Sequence, residues 1–239
     1  MENKKISIVI PARNEERFIK RTIESLKGTV AYPLEIIVVV NGSKDKTFEI
    51  SKQYATKTLN FPEALGPSAS RNKGARVATG EILVFLDADT EISDNAIDEI
   101  LKNFSLKTIG VCSAEVSKKI KDKKLRAKIF FAFKNFIHRA KFYKGSIALI
   151  FCSKEVFLKA NGFDEDMWVG ELNDFIRRAL EAGAEYKFLD NCHVVTSLRR
   201  YEKKWGYAKA IFFWITWMIT RLFGKDQKME KKYYKLKDK

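Results

Sequence analysis

The sequence predicts an α/β fold, an open sheet covered by helices, and three observations carry that prediction. Residues 6–10 (ISIVI), 34–40 (LEIIVVV) and 82–86 (ILVFL) are apolar runs of strand length, the form a strand takes when both of its faces are buried. Helical stretches separate them through short links, the βαβ signature of a parallel sheet. Each run stops at polar residues, PARN at 11–14, NGS at 41–43 and DAD at 87–89. These three ends should meet at one crevice, because open α/β sheets take ligands beyond the carboxyl ends of their strands.

In chain order, Pro11 closes the first strand, and Asn14, Glu15 and Glu16 start a helix that runs to about Leu26. The second strand ends at Asn41-Gly42-Ser43, with Ser43 placed to cap a helix over 44–54. A short strand covers 56–59, a loop 60–67, and a helix over 68–78 carries Arg71, Asn72 and Gly74 into the third run. A helix near 94–104 and a strand at 109–116 follow. Between 118 and 143 Lys, Arg and Phe are dense: Leu125, Ile129, Phe133, Phe136, Ile137 and Ala140 share one helical face. Lys124, Lys128, Asn135, His138 and Arg139 lie largely opposite. The apolar face reads as packing and the basic face, His138 included, as solvated surface. A strand at 145–152, a short helix, the turn Asn161-Gly162-Phe163, a helix over 171–182 and strands at 186–189 and 192–196 complete a domain set at 1–200.

Residues 201–239 form a separate segment. The helix over 201–223 would be about 34 Å long, but its uncharged run, 210–220, is far short of the roughly 20 residues a bilayer span needs. Trp205, Trp214 and Trp217 suit the headgroup boundary, and Lys203, Lys204, Lys209, Arg221 and the basic tail suit anionic lipid. Lying in the interface is the better fit; the alternative is a helix packed on the domain through Phe212, Ile215, Met218, Ile219 and Leu222.

Composition narrows the partners. A hydrophobic share of 46% with only 4 Pro in 239 residues excludes a disordered chain. The net charge of +15 calls for an acidic partner, whether a membrane surface, a nucleic acid or a phosphorylated substrate. No RNA- or DNA-binding motif accompanies that charge, so no nucleic acid partner is expected. Three cysteines without a CxxC or zinc spacing, and an N-terminus that enters a strand without a signal-peptide pattern, point to the cytoplasm.

Asp87 and Asp89 end a buried strand one residue apart. Hard divalent cations take carboxylate oxygens, so this step can hold a metal against a diphosphate; it can equally cap the next helix. The segments ISIVIPARNEE, EIIVVVNGSKDKT, GPSASRNKGARVATGEILVFLDADT, ANGFDE and TSLRRYEKKWGY, in this order, resemble family 2 glycosyltransferases of the GT-A fold, over about residues 5–207. The resemblance implies a mixed sheet flanked by helices and an inverting enzyme that uses a nucleotide diphosphate sugar with Mn or Mg. The acceptor would be a hydroxyl or a lipid phosphate, a glycan or polyprenyl-phosphate-type molecule, at the inner face of the cell membrane. Asp87 and Asp89, with Ala88 between them, match the family's DXD. Pro11, Ala12, Asn14 and Glu15 match the first nucleotide-contacting loop, Asn41, Gly42 and Ser43 the second, and Arg71 a position near the base or phosphates. Asn72 holds its loop. His193 is either a third metal ligand or a satisfied strand histidine, and Arg199 and Arg200 either face the diphosphate or form a solvated basic turn.

Two departures from the family pattern bear on activity. Similar sequences carry two aspartates where this chain has Val40 and Asn41, and an amide offers donors where a carboxylate only accepts. The acidic pair that usually includes the catalytic base is here Glu171-Leu172-Asn173-Asp174, which puts Leu172 at the base position. Glu171 and Asp174 are the remaining catalytic candidates. Asp174 would sit deeper and position the acceptor or pair with Arg177 or Arg178. Without a base the chain would be a weak or inactive nucleotide-sugar-binding subunit.

Overall fold

The computed structural model describes residues 4–27, 33–115, 124–140, 148–167, 170–197 and 199. In chain order the elements are β1 (Ile6–Ala12), α1 (Ile19–Lys27), β2 (Leu34–Asn41), α2 (Thr47–Tyr54), β3 (Lys57–Phe61), α3 (Pro67–Val77), β4 (Ile82–Leu86), β5 (Thr90–Ile92), α4 (Ala96–Asn103), β6 (Thr108–Glu115), α5 (Lys124–Arg139), β7 (Leu149–Ser153), α6 (Lys154–Lys159), α7 (Glu171–Glu181) and β8 (Glu185–Thr196). The strands form one 8-stranded mixed sheet in the order β3-β2-β1-β4-β7-β6-β8-β5. β3, β2, β1 and β4 run parallel; β7 is antiparallel to β4 and β6, β8 is parallel to β6, and β5 is antiparallel to β8. The chain builds outward from β1 to β2 and β3, then returns to the other side of β1 as β4. That reversal opens the crevice between β1 and β4.

Alternating side chains of the same strands feed two cores, which is why the runs are apolar throughout. Ile8, Ile10, Val38, Val84 and Leu86 pack with α1, α4 and α5 on one face, and Val9, Ile37, Val39, Leu83 and Phe85 pack with α3, α6 and α7 on the other. Gly74 lets α3 lie close on the second face, where a Cβ would stand 2.3 Å from Val9 Cγ1 and 3.1 Å from Val39 Cγ2. Phe85 on β4 meets Phe163 edge-on at 4.9 Å, and Phe163 meets Phe175 of α7 at 4.5 Å. This aromatic stack fixes the start of α7 relative to the end of β4.

Buried Glu35 ties together the amino-terminal end of the parallel strands, away from the crevice. Its carboxylate accepts from the Ser7 hydroxyl and from the amide and hydroxyl of Thr79, with Lys57 Nζ 3.6 Å away. Burial pushes its pKa up, but the Ser7 and Thr79 hydrogen bonds and the Lys57 charge outweigh burial and hold it below the ordinary carboxylate range. With a lowered native pKa the unfolded chain takes up the proton first. The contribution is therefore full above the ordinary pKa and is lost as pH falls through the native value. Glu35→Ala strands the Ser7 hydroxyl and the Thr79 amide and should cost about 1–3 kcal/mol at neutral pH. Urea unfolding at neutral and acidic pH checks this, because the penalty should shrink in acid.

Several sequence expectations change in detail. Pro11 lies inside β1 rather than closing it: the ladder to β4 ends at Val9, so β1 is there paired only with β2, where a missing N–H is tolerated. The regular helix starts at Ile19, after a turn in which Glu15 O accepts from the Phe18 and Ile19 amides, while the backbone amides of Asn14, Glu15 and Glu16 bond to Ser43, Thr47 and Asp45. Ser43 is thereby used up and does not cap α2, which begins at Thr47; Asp45 accepts from the Thr47 amide and hydroxyl. β5 was not foreseen, and 186–196 is one strand, with a register shift opposite Cys112 and Ser113.

α5 is mounted the other way round from the sequence reading. Ala127, Phe131, Lys134, Ile137 and His138 are buried, whereas Leu125, Ile129, Phe133 and Phe136 are exposed. Polar contacts set this rotation. β6 pairs with β7 only as far as Val111, and beyond it Asn135 accepts from Ala114 N at 2.9 Å and donates to Ala114 O at 3.0 Å. The expected helix over 201–223, Arg200, and the start of the 145–152 strand lie outside the described residues. Among those described, no helix is long and apolar enough to cross a membrane.

Candidate active site

The rim of the crevice is two loops stitched into one. Asn14, at φ 54°, donates its backbone N–H to Ser43 Oγ at 3.1 Å and accepts from Lys44 N at 2.9 Å, and Glu15 N donates to Thr47 Oγ1 at 2.8 Å. Pro11 and Ala12 lead into this rim at the end of β1, opposite Val39 and Val40. Asn41 is buried at the end of β2, its Oδ1 accepting from Leu65 N at 2.8 Å, so the group it can offer a ligand is its Nδ2 donor. Gly42 is held at φ 68° with its N–H on Phe61 O at 2.8 Å, and a Cβ there would stand 2.8 Å from Ala64 N. The close approach of the 61–65 loop therefore requires glycine.

The DAD turn is fixed through its backbone. Asp87 N donates to Ala148 O at 3.0 Å, Ala88 O accepts from Thr22 Oγ1 at 2.8 Å, and Asp89 O accepts from Ser197 N at 3.0 Å. Its side chains join a chain of charges. Arg71, only 3% exposed, donates to Asp87 Oδ1 and to Glu171 Oε1, both at 2.9 Å. Arg199 donates both terminal nitrogens to Glu15 and stands 3.4 Å from Asp89 Oδ2. Among the described residues this cluster alternates four carboxylates with two guanidiniums. Burial, partly offset by Arg199 and reinforced by the charges of Asp89 and Asp87, pushes Glu15 up to about 7.

α7 sorts its acidic residues. Leu172 is buried in the core with Phe175 and Ile176, so position 172 faces packing rather than the crevice. Asp174 is also buried and accepts from Arg177 at 2.9 Å and from Arg178 at 2.8 Å. Burial raises its pKa, but those two guanidiniums outweigh burial and hold the carboxyl below the usual range. Of the two α7 candidates, Glu171 is the one joined through Arg71 to Asp87.

His193 is not brought to the two aspartates. It sits three residues before Thr196, the residue paired with Thr90, and its Nε2 lies 3.7 Å from Glu115 Oε2. Among the described residues no three His, Cys, Asp or Glu side chains converge where they could hold a metal ion. Of the two readings of His193, the contact with Glu115 is the one the described residues display. Asp87 and Asp89 still fit a small hard cation, which takes one or two carboxylates and completes its shell with phosphate oxygens and water. Asn72, on α3, holds the turn at Phe163 rather than a loop of its own, donating to Phe163 O at 2.8 Å and accepting from Phe163 N at 2.9 Å. The Thr22 hydroxyl, 66 residues before Ala88, was missed, and no local signal marks it.

Over 221 residues the chain is 25% identical to the pre-mycofactocin glycosyltransferase of Mycobacterium tuberculosis, covering 87% of this chain and 46% of that protein. The chain thus spans less than half the length of that curated relative. Among solved structures it resembles the mannosyltransferase PcManGT of Pyrobaculum calidifontis in complex with GDP-Man and Mn2+ (TM-score 0.68, 17% identity, 84% of this chain and 59% of that one). It also resembles S. aureus TarS 1-349 in complex with UDP-GlcNAc (TM-score 0.61, 19% identity, 81% and 59%). At such identities the likeness is one of fold. The profile of glycosyl transferase family 2 matches residues 7–163, well over half of the chain, and the protein belongs to that family.

Proposed function

We propose that the chain transfers a sugar, with inversion, from a nucleotide diphosphate sugar to a hydroxyl or lipid-phosphate acceptor at the cytoplasmic face of an anionic membrane. The observation that carries the reading is the charge cluster at the end of β4, with Glu171, Arg71 and Asp87 on one side and Asp89, Arg199 and Glu15 on the other. The nucleoside would lie against Pro11, Ala12, Asn14, Glu15 and the Asn41–Ser43 turn, with the diphosphate toward Ala88 and Asp89. Asp87 and Asp89 would hold Mn or Mg, whose charge supports the departing diphosphate. Arg199, within reach of Asp89, is placed to turn its guanidinium to phosphate oxygens, and Arg200 follows it.

In a single displacement the acceptor oxygen bonds to the anomeric carbon as the bond to the diphosphate breaks. A hydroxyl acceptor must also lose its proton, and Glu171 is the group proposed to take it. A phosphate acceptor arrives ionised and needs no base. One observation favours a second reading, a nucleotide-sugar-binding subunit with weak chemistry: Leu172 is buried and the Glu171 carboxylate is already engaged by Arg71. Transfer assays with a panel of nucleotide diphosphate sugars and Mn2+ or Mg2+, run beside calorimetric titration of the same donors, test the proposal. Turnover is expected. Donor binding without turnover across hydroxyl and phosphate acceptors would establish the second reading instead.

A further inference from the structure

We propose that α5 docks the domain on an anionic bilayer, its outward face entering the boundary between headgroups and acyl chains. This rests on the membrane reading above and names the surface that meets the lipid. The helix carries its polarity reversed. Toward the sheet it buries Lys134 and His138 along with Ala127, Phe131 and Ile137, and outward it presents Leu125, Ile129, Phe133 and Phe136, 71, 62, 55 and 62% exposed. The spacing places these four on one stripe, about 17 Å long at 1.5 Å per residue. Rotation about the helix axis cannot hide them, because Asn135 is bonded to both backbone groups of Ala114 and His138 Nδ1 stands 3.4 Å from Tyr186 Oη. Single exposed apolar side chains are ordinary, but a continuous stripe marks a face that meets an apolar medium.

Charge identifies the medium. Lys128 and Arg139 are exposed on one shoulder of the stripe, Arg139 with one terminal nitrogen on Asp190 Oδ2 at 2.7 Å. The adjoining sequences, KKIKDKK at 118–124 and AKFYK at 140–144, add further lysines, and the chain as a whole carries +15. Cations flanking an apolar, aromatic stripe complement anionic headgroups above acyl chains. A second copy applied to the same face would bring like charges together.

The test is co-sedimentation of the full chain with vesicles of phosphatidylcholine alone or of phosphatidylcholine mixed with phosphatidylglycerol, for wild type and for the double variant Ile129→Ser, Phe136→Ser. Leu125→Ser, at the other end of the stripe, repeats the measurement independently. Wild type should partition onto the mixed vesicles more strongly than onto the neutral ones. The double variant should partition about tenfold or more weakly, with an unchanged unfolding midpoint and sedimenting mass. Equal partition of variants and wild type would overturn the assignment of α5 while leaving membrane attachment to another segment, such as 201–239. Absence of wild-type partition would overturn both. A loss of stability or a change of mass in vesicle-free solution would show that the stripe is covered by the chain itself or by a second copy, and would also overturn the proposal.

Discussion

Asp89→Ala is expected to lower sugar transfer by about 10²-fold or more. The carboxylate would hold the cation against which the diphosphate charge develops, and losing a group that stabilises developing charge in a sheltered site costs on the order of 10²–10³ in rate. The turn itself should survive, because Asp89 holds it through its backbone oxygen on Ser197 N and Ala88 is pinned by Thr22. Turnover at saturating donor, measured across a Mn2+ titration, separates the outcomes. If the loss is restored simply by raising Mn2+, Asp89 contributes cation affinity and little else. Unchanged turnover at all concentrations would remove it from the site.

Glu171→Gln should reduce transfer to a hydroxyl acceptor by roughly 10²–10⁴, the usual cost of losing a general base. Donor affinity should stay within about twofold, since only the transition state uses the proton acceptor. The near-isosteric amide keeps an oxygen that can still accept from Arg71, so the cluster should remain assembled. With an ionised phosphate acceptor the same substitution should have little effect, because no proton has to be removed. Asp174→Asn supplies the contrast. Its carboxylate is spent on Arg177 and Arg178, so its loss should appear in stability before it appears in turnover. Transfer abolished by Asp174→Asn and untouched by Glu171→Gln would exchange the two roles.

Much of the fold could be read because it is written in runs. Three of the four strands of the parallel half, β1, β2 and β4, announce themselves as apolar segments, since each is buried on both faces, and their polar ends point to one crevice. What escaped depended on contacts distant in sequence. Helix α1 is preceded by a turn whose amides at 14–16 are bonded to the 43–47 loop, which no local pattern reveals. The orientation of α5 is hidden for a similar reason: amphipathicity gives two faces, and only the bonds of Asn135 to Ala114, on the side of β6 that β7 leaves open, decide which one is buried. At the site, the residue types at 15, 71, 87, 89, 171 and 199 were visible, but not their order. The alternation of carboxylate and guanidinium, the diversion of Asp174 to its own helix and the separation of His193 from the aspartates all follow from packing.

The most direct test of the central claim is the crystal structure of the full chain with a nucleoside diphosphate sugar and Mn2+. The account predicts the base against residues 11–15 and 41–43, the diphosphate beside Asp89, and the Arg199 guanidinium turned from Asp89 toward phosphate oxygen. A nucleotide bound away from the ends of β1, β2 and β4, or one whose diphosphate points away from Asp89 while Arg199 keeps its present contacts, would contradict it.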